Sequence, residues 1–255
     1  MITTKISISM NVLVTGANGQ LGREMQRVGS LSPNNYIFTD LAELDITDKS
    51  AVEDFVTKNN ISVIINCAAY TNVDRAEDDE QTAELINATA VANLAVAAKN
   101  NNATLFHIST DYVFGTDGNT PRSEDMATNP LGAYGRTKLH GEQAIAEVGA
   151  KAIIIRTAWL YSEFGNNFLK TMLRLTAERS ELNVVFDQVG TPTYTLDLAV
   201  LLVDMIISEK YGNYHATNEG GYISWYEFAC EIFKKAGYTT NVIPVTTEEY
   251  GVSKA

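Results

Sequence analysis

The sequence predicts an α/β fold: a doubly wound parallel sheet followed by a small C-terminal lobe. Three observations lead there. Short, almost wholly apolar runs alternate with amphipathic stretches, the arrangement of buried parallel strands joined by crossover helices. The first run, Val12-Leu13-Val14, leads into Gly16, Gly19 and Gly22, spaced G-x2-G-x2-G, with Leu21, Met25 and Val28 following at helical spacing. The chain has 255 residues, 45% apolar and 20% charged, and is long enough to bury one large core.

Composition narrows the partners. A net charge of −12 argues against a nucleic-acid surface, which needs a basic face. No apolar run is long enough to cross a bilayer and the N-terminus lacks a signal-peptide core, so no membrane partner is expected. Cys67 and Cys230 stand far apart and read as free thiols of a cytoplasmic protein. Residues 1–9 precede a second methionine, Met10, and read as a start-site extension or a frayed tail, with no role assigned.

The glycine turn is the first element with chemistry. Gly16 lets the chain turn, Gly19 lets a pyrophosphate approach the backbone, and Gly22 lets the helix pack close to the strand. The helix N-terminus then faces the phosphates, so a dinucleotide is expected there. Tyr36 to Thr39 reads as strand two, ending at Asp40, an acid placed to bond the adenosine ribose. Arg23 could instead meet a 2′-phosphate, so the choice between NAD and NADP stays open at this point.

A helix from about Lys49 to Asn59 follows, then strand three and its exit from Ser62 to Ala69. A long helix is expected from about Arg75 to Asn100, with Asn87 as a surface amide on it. Leu105 to Ser109 is strand four, with His107 packed inside it, followed by Thr110, Asp111 and Tyr112. Residues 115–130 are rich in Gly, Asp, Asn, Thr and Pro, a long loop of the kind that serves function. A helix opens at Tyr134 and runs to about Val148. Ala152 to Thr157 is strand five, and Asn167 to Glu178 is helical. Leu182 to Val185 reads as strand six, and Leu196 to Ile207 as a helix. The remainder, with Tyr214, His215 and the helix Trp225 to Lys235, reads as the small lobe. The expected division is a nucleotide-binding core over 10–160, with 161–255 completing the sheet and forming the substrate lobe.

Tyr134 and Lys138 are four apart at a helix start and share a face. A nearby ammonium favours the phenolate, which makes a tyrosine usable as a proton carrier near neutral pH. Tyr250 and Lys254 repeat the spacing but follow no strand, and Tyr250 reads as a surface residue. The first pair follows Ser109 and Thr110, whose hydroxyls sit at a strand's carboxyl end, on the crevice the glycine turn also faces.

This combination resembles the extended short-chain dehydrogenase/reductase family, with its Rossmann-like core, and within it the dTDP-4-dehydrorhamnose reductases. The resemblance runs from Met10 to the end and rests on VTGANGQLG, NCAAYTNVDRAE, STDYVF, YGRTKLHGE, RTAWLY with GNNF, and DQVGTPT. It implies reduction of the C4 ketone of dTDP-4-dehydro-6-deoxy-L-mannose to dTDP-L-rhamnose, with NADPH preferred and NADH accepted. By matching motif, Thr110 would polarise the ketone and Tyr134 would donate its proton. Lys138 would lower the tyrosine pKa and hold the nicotinamide ribose. Gly19, Gln20 and Leu21 would cradle the pyrophosphate, and Asp40, Asp45 and Ile46 would meet the adenosine. Ala69, Tyr70 and Thr71 would line the cofactor cleft, while Asp111 and Trp159 would contact the sugar nucleotide. A homodimer is left open.

Two departures accompany the resemblance. Family members continue with an Arg-Pro-x-Asn-Ser-Arg-like segment and a last helix, whereas this sequence stops at Ala255, so either the substrate lobe is incomplete or the segment is missing from the sequence in hand. Some members hold Mg²⁺ through glutamates; only Glu24 matches, with Leu196 in the place of another, and no metal is expected. Three other functions are weighed. A 4,6-dehydratase would carry an acidic pair after the strand-four threonine, but Tyr112 follows Asp111. A dinucleotide-binding regulatory subunit like that of methionine adenosyltransferase would share the fold without needing turnover. Another sugar-nucleotide reductase would share the chemistry.

Overall fold

The computed structural model describes residues 9–115, 118 and 120–251. The extension up to residue 8, Lys254, the chain end and part of the loop after Gly115 lie outside the described residues.

The first strand is an interior strand of the main sheet, next to one edge. The chain runs β1 (Asn11–Thr15), α1 (Gln20–Gly29), β2 (Asn35–Thr39), α2 (Lys49–Lys58) and β3 (Val63–Asn66). After β3 come α3 (Val73–Asp78), α4 (Glu80–Glu84), a π-helical turn (Leu85–Thr89) and α5 (Ala90–Asn100). β4 (Thr104–Thr110) passes through a 3₁₀ turn (Asp111–Val113) and the loop to α6 (Ala133–Val148) and β5 (Ala152–Thr157). The second part holds β6 (Leu160–Tyr161), α7 (Phe168–Thr176), β7 (Glu181–Val185), β8 (Val189–Gly190) and β9 (Thr193–Tyr194). It continues with α8 (Thr195–Met205), β10 (Gly212–His215), β11 (Ile223–Ser224), α9 (Trp225–Ala236), β12 (Asn241–Val245) and α10 (Thr247–Tyr250).

The six-stranded sheet has the order β10-β5-β4-β3-β1-β2, every pair parallel. The order reverses between β1 and β3, so a crevice opens at their carboxyl ends. Both faces are covered, which is why the strands are apolar at successive positions. Leu13, Ile64 and Leu105 pack with Val52, Val56, Leu94 and Ile145 from α2, α5 and α6. Val12, Val14, Ile65 and Phe106 pack on the other face with Leu21, Met25, Leu198 and Leu202 from α1 and α8. Among the described residues no helix is long and apolar enough to cross a membrane.

Three expectations change. Tyr214 and His215 belong to the main sheet, in β10, with Tyr214 in register with Ile155. This short edge strand uses Gly, Asn, Tyr and His, so it shows no apolar run. Leu182 to Val185 is not the sixth strand but β7, which pairs with β12 in the lobe. Its buried Leu182 and Val184 alternate with outward residues and pack on Met172, Phe228 and Ile232, the signature of a one-sided strand. The single helix expected over 75–100 breaks at Asp79 and widens into the π turn at Leu85–Thr89. A polar residue inside that turn makes the difference, as shown below.

The glycine turn is packed backbone to backbone. Gly16 has φ +66°, and a Cβ there would lie 2.6 Å from the Ala68 nitrogen. A Cβ on Gly22 would lie 2.2 Å from the Gly16 carbonyl oxygen. Both neighbours are main chain and cannot step aside. Gly22→Ala should therefore lower stability by more than about 2 kcal/mol, towards the upper end of overpacking costs, in urea-unfolding measurements. An unchanged midpoint would show that the turn and helix are free to separate.

Candidate active site

The nucleotide side of the crevice is built from the strand exits. Gly19 is the N-cap of α1 without a side-chain cap, and the first turn holds no acid. The start of the helix thus offers N–H groups and a positive dipole end beside a backbone without Cβ atoms at Gly16 and Gly19. A pyrophosphate fits that cradle. Gln20 is tied across to the second half of the chain: its Oε1 accepts the Asn167 amide at 2.9 Å. Leu21 turns its side chain into the core, leaving its backbone to the cradle.

Asp40, at the end of β2, accepts the N–H groups of Asn18 and Leu41, each at 2.9 Å, so it braces the glycine turn. Arg23 is exposed on α1. Asp45 is exposed, and its Oδ1 accepts the Thr47 N–H at 2.9 Å and hydroxyl at 2.7 Å, which holds its carboxyl below its ordinary value. Ile46 buries its side chain in the core and gives its carbonyl to Asn93. Ala69 and Tyr70 are half-buried and Thr71 exposed along the exit of β3. The Tyr70 ring packs with Tyr134 against Ala76, Ala83 and Ala133, and its hydroxyl is buried without a partner. That unmet donor is a group a bound ligand would satisfy.

Thr110 and Tyr134 meet, and Lys138 lies one turn along the same helix. The Thr110 hydroxyl donates to Asp111 Oδ1 at 3.1 Å and accepts the Tyr112 N–H at 3.2 Å. The Tyr134 phenol lies close to the Thr110 hydroxyl and packs edge-on against Tyr112 at 5.5 Å. Lys138, 1% exposed, donates from Nζ to the Ile108 carbonyl at 2.6 Å and stands 3.4 Å from His107 Nε2. Burial lowers the Lys138 pKa to about 8.

The expected depression of the Tyr134 pKa is not found. Burial pushes the phenol up, Asp111 and Tyr112 push the same way, and only the neighbouring Thr110 hydroxyl pulls it down. Lys138 is turned onto the Ile108 carbonyl instead. Asp111 is itself pushed up to about 6 by the protein packed around it, although solvent reaches it through the open crevice and tempers the push.

Several residues that sequence reasoning left aside hold this arrangement. Asn87 is no surface amide. It is 1% exposed, accepts the Tyr70 N–H at 2.9 Å and donates to the Tyr70 carbonyl and Thr137 hydroxyl, both at 3.1 Å. It thereby clamps the exit of β3 to α6 from within the π turn. Glu142, one turn beyond Lys138, accepts the Ser109 hydroxyl at 2.5 Å and pairs with Arg156 at 2.7 and 3.0 Å. A single polar residue among alanines was the only available signal for Asn87.

Comparison with known proteins places this architecture. The family model described as RmlD substrate binding domain matches residues 10–255. The chain belongs to that family. It is 43% identical over 233 residues to a dTDP-4-dehydrorhamnose reductase of Aggregatibacter actinomycetemcomitans, covering 88% of this chain and 79% of that one. It is 38% identical to a dTDP-4-keto-6-deoxy-D-glucose reductase of Streptomyces niveus, covering 88% and 78%. The crystal structure of a dTDP-4-dehydrorhamnose reductase from Bacillus anthracis in complex with NADP superimposes with a TM-score of 0.94 at 44% identity, covering 97% and 88%.

Three family motifs in this RmlD-family chain have local explanations. The Asn of GNNF, Asn167, caps α7 through the Lys170 N–H while its amide binds Gln20 and the Ser162 carbonyl, joining lobe to glycine turn. Trp159 of RTAWLY is half-buried with φ +49°, a costly backbone for a bulky residue, and stacks on Trp225 with ring centroids 3.4 Å apart. Gly190 of DQVGTPT lies beneath that ring; a Cβ there would meet it at 2.5 Å. Glu24 is fully buried, its Oε1 accepting the Ser162 hydroxyl at 3.0 Å while Oε2 has no hydrogen bond and lies 3.9 Å from the Arg27 guanidinium. Among the described residues no three of His, Cys, Asp or Glu gather as a metal site. A cavity of about 570 Å³ in the lobe, lined by Tyr161, Leu169, Phe228 and Ile232, includes none of the trio.

Asp111 yields a prediction. Its carboxyl moves from an ordinary 3.8 to about 6 on folding, so the folded chain holds the extra proton between those values and stability falls as pH rises through them. Asp111→Asn should raise the unfolding midpoint at about pH 7 and leave it nearly unchanged near pH 4. An equal effect at both values would remove the titration from the account.

Proposed function

We propose that this RmlD-family chain uses NADPH to reduce the C4 ketone of dTDP-4-dehydro-6-deoxy-L-mannose, giving dTDP-L-rhamnose for a surface polysaccharide. The observation that carries the reading is the meeting of the Thr110 hydroxyl and the Tyr134 phenol, with Lys138 one turn on, at the strand edge onto which the glycine turn opens. The reductases to which it is similar differ in sugar but share a dTDP group and a 4-keto carbon, which supports the substrate class. Free thiols at Cys67 and Cys230 support a reducing compartment, and we place the reaction in the cytoplasm.

When bound, NADPH supplies a hydride to the ketone carbon. The chain's part is to bind, orient and protonate. The first turn of α1, from Gly19 through Leu21, holds the pyrophosphate with backbone N–H groups. Thr110 turns its hydroxyl to the ketone oxygen, and Tyr134 gives that oxygen its proton as negative charge develops. The raised pKa suits this direction, because it keeps the phenol protonated at neutral pH. Lys138 keeps one N–H on the Ile108 carbonyl and offers another to the nicotinamide ribose. Tyr70, with Ala69 and Thr71, lines the cofactor side, while Asp111 and Trp159 hold the sugar nucleotide. Asp40 is shared between Asn18 and the ribose, and Arg23 stands on the exposed face of α1 near a 2′-phosphate.

Two measurements test the reading. Tyr134→Phe keeps the ring and removes the proton, so NADPH affinity should survive while single-turnover reduction of the keto sugar falls by about two to four decades. Retention of more than about a tenth of the rate would take the proton donor away from Tyr134. Steady-state kinetics should show both NADPH and NADH in use. A preference of about three orders of magnitude, about 4 kcal/mol, would contradict the opposed roles of Asp40 and Arg23.

A further inference from the structure

A row of buried polar groups runs beneath the trio, from β1 through β3 and β4 to α6, and its donors can be assigned in order. The Ala68 N–H lies 3.1 Å from Asn66 Oδ1, and a backbone amide only donates, which fixes that atom as the oxygen. The Thr15 hydroxyl donates to the same oxygen at 2.7 Å. Asn66 Nδ2, a donor only, is then left facing His107 Nδ1 at 3.1 Å. Nδ1 must accept, so the neutral ring carries its proton on Nε2. His107 has no exposure, and burial, then Lys138, hold its pKa well below the ordinary value, so the ring stays neutral. The Nε2–H therefore points at Lys138 Nζ, 3.4 Å away, while Nζ donates to the Ile108 carbonyl.

We propose that His107, fixed as its Nε2–H tautomer by Asn66, is a positioning residue that presents a donor to Lys138 and weakens that amine's hold on its last proton. The N–H turns its positive end towards an ammonium and offers a hydrogen bond to a neutral amine, so both effects favour the amine. The other tautomer would offer a lone pair and act the opposite way. Of the remaining charged groups around Lys138, Glu142 favours the ammonium, but its oxygens are held by Ser109 and Arg156. Tyr134 lies one turn back on α6 and stays protonated, and Asp111 lies beyond Thr110 on the crevice side. With burial already bringing the amine to about 8, a modest push decides its charge at working pH. The consequence for catalysis rests on the reductase reading, but the tautomer and the titration do not.

The test uses the full chain without sugar. Nitrogen and carbon NMR of labelled histidine should find His107 as the neutral Nε2–H tautomer; an Nδ1–H ring or an imidazolium would overturn the proposal. Asn66→Asp sets a carboxylate oxygen opposite Nδ1, draws the proton there and turns the Nε2 lone pair towards Lys138. The Lys138 midpoint, followed through its Nζ resonance, should then rise by about one pH unit or more, a tenfold change in proton affinity. A midpoint that stays or falls contradicts the proposal. In a His107→Phe background the same substitution should shift the midpoint by less than about a third as much, since the ring no longer relays the change. An equal shift would reduce the effect to added charge and overturn it. If Asn66→Asp does not fold, the tautomer in the unaltered chain remains decisive. Loss of keto-sugar reduction alone would strike the proposed function and leave these resonances in place.

Discussion

The 2.6 Å hydrogen bond from Lys138 to the Ile108 carbonyl joins the helix that carries the phenol to the strand that carries the hydroxyl. A buried ammonium needs such a partner, and its strand position fixes the height of α6 along β4. One turn further on, Glu142 binds Ser109, the next strand residue. Two helix positions four apart thus grip two consecutive strand residues, and Tyr134, one turn back, is left beside Thr110. The Tyr134 phenol and the Thr110 hydroxyl stand together because both buried helix side chains find their partners on β4 in this register. The Arg156–Glu142 pair is 5% exposed on each side; removing one partner would leave a buried charge and cost about 3–5 kcal/mol.

The cofactor side depends on a different constraint, the contact of main chain with main chain. At Gly16 and Gly22 there is no space for a Cβ, so β1, the exit of β3 and α1 form one surface. Asn87 then couples that surface to α6 through the Tyr70 backbone. The π turn around Asn87 follows from this demand: the residue turns inward to two backbone groups, and the helix opens by one residue to let it. The glycine turn and the helix that carries Tyr134 are therefore joined through Tyr70, Asn87 and Thr137 rather than by a flexible loop.

Most of the central fold was legible because parallel strands buried on both faces, such as Val63 to Asn66 and Ala152 to Thr157, leave little choice of residue. Beyond Thr157 the signal weakens for physical reasons. β10 lies at an edge and needs only half its side chains apolar, so Tyr214 and His215 looked like lobe. Leu182 and Val184 alternate, yet alternation does not say which sheet a strand joins. Thr110, Tyr134 and Lys138 could be found because a hydroxyl and a Tyr–Lys pair follow one strand. Asn66, Asn87 and the Glu142–Arg156 pair could not, since their partners are distant in sequence and each looks ordinary alone. The expected effect of Lys138 on Tyr134 rested on spacing, and spacing does not show that the ammonium is already bonded to a carbonyl.

The central claim is that the crevice performs hydride transfer to a ketone and does not merely hold a dinucleotide. The most direct measurement follows the hydride itself. NADPH carrying deuterium at the transferable position of the nicotinamide is incubated with the chain and the dTDP-linked 4-keto sugar, and the product is read by mass spectrometry and proton NMR. The account predicts one deuterium, bonded to C4 of the sugar, on a single face. Tight NADPH binding with no label reaching the sugar would contradict it.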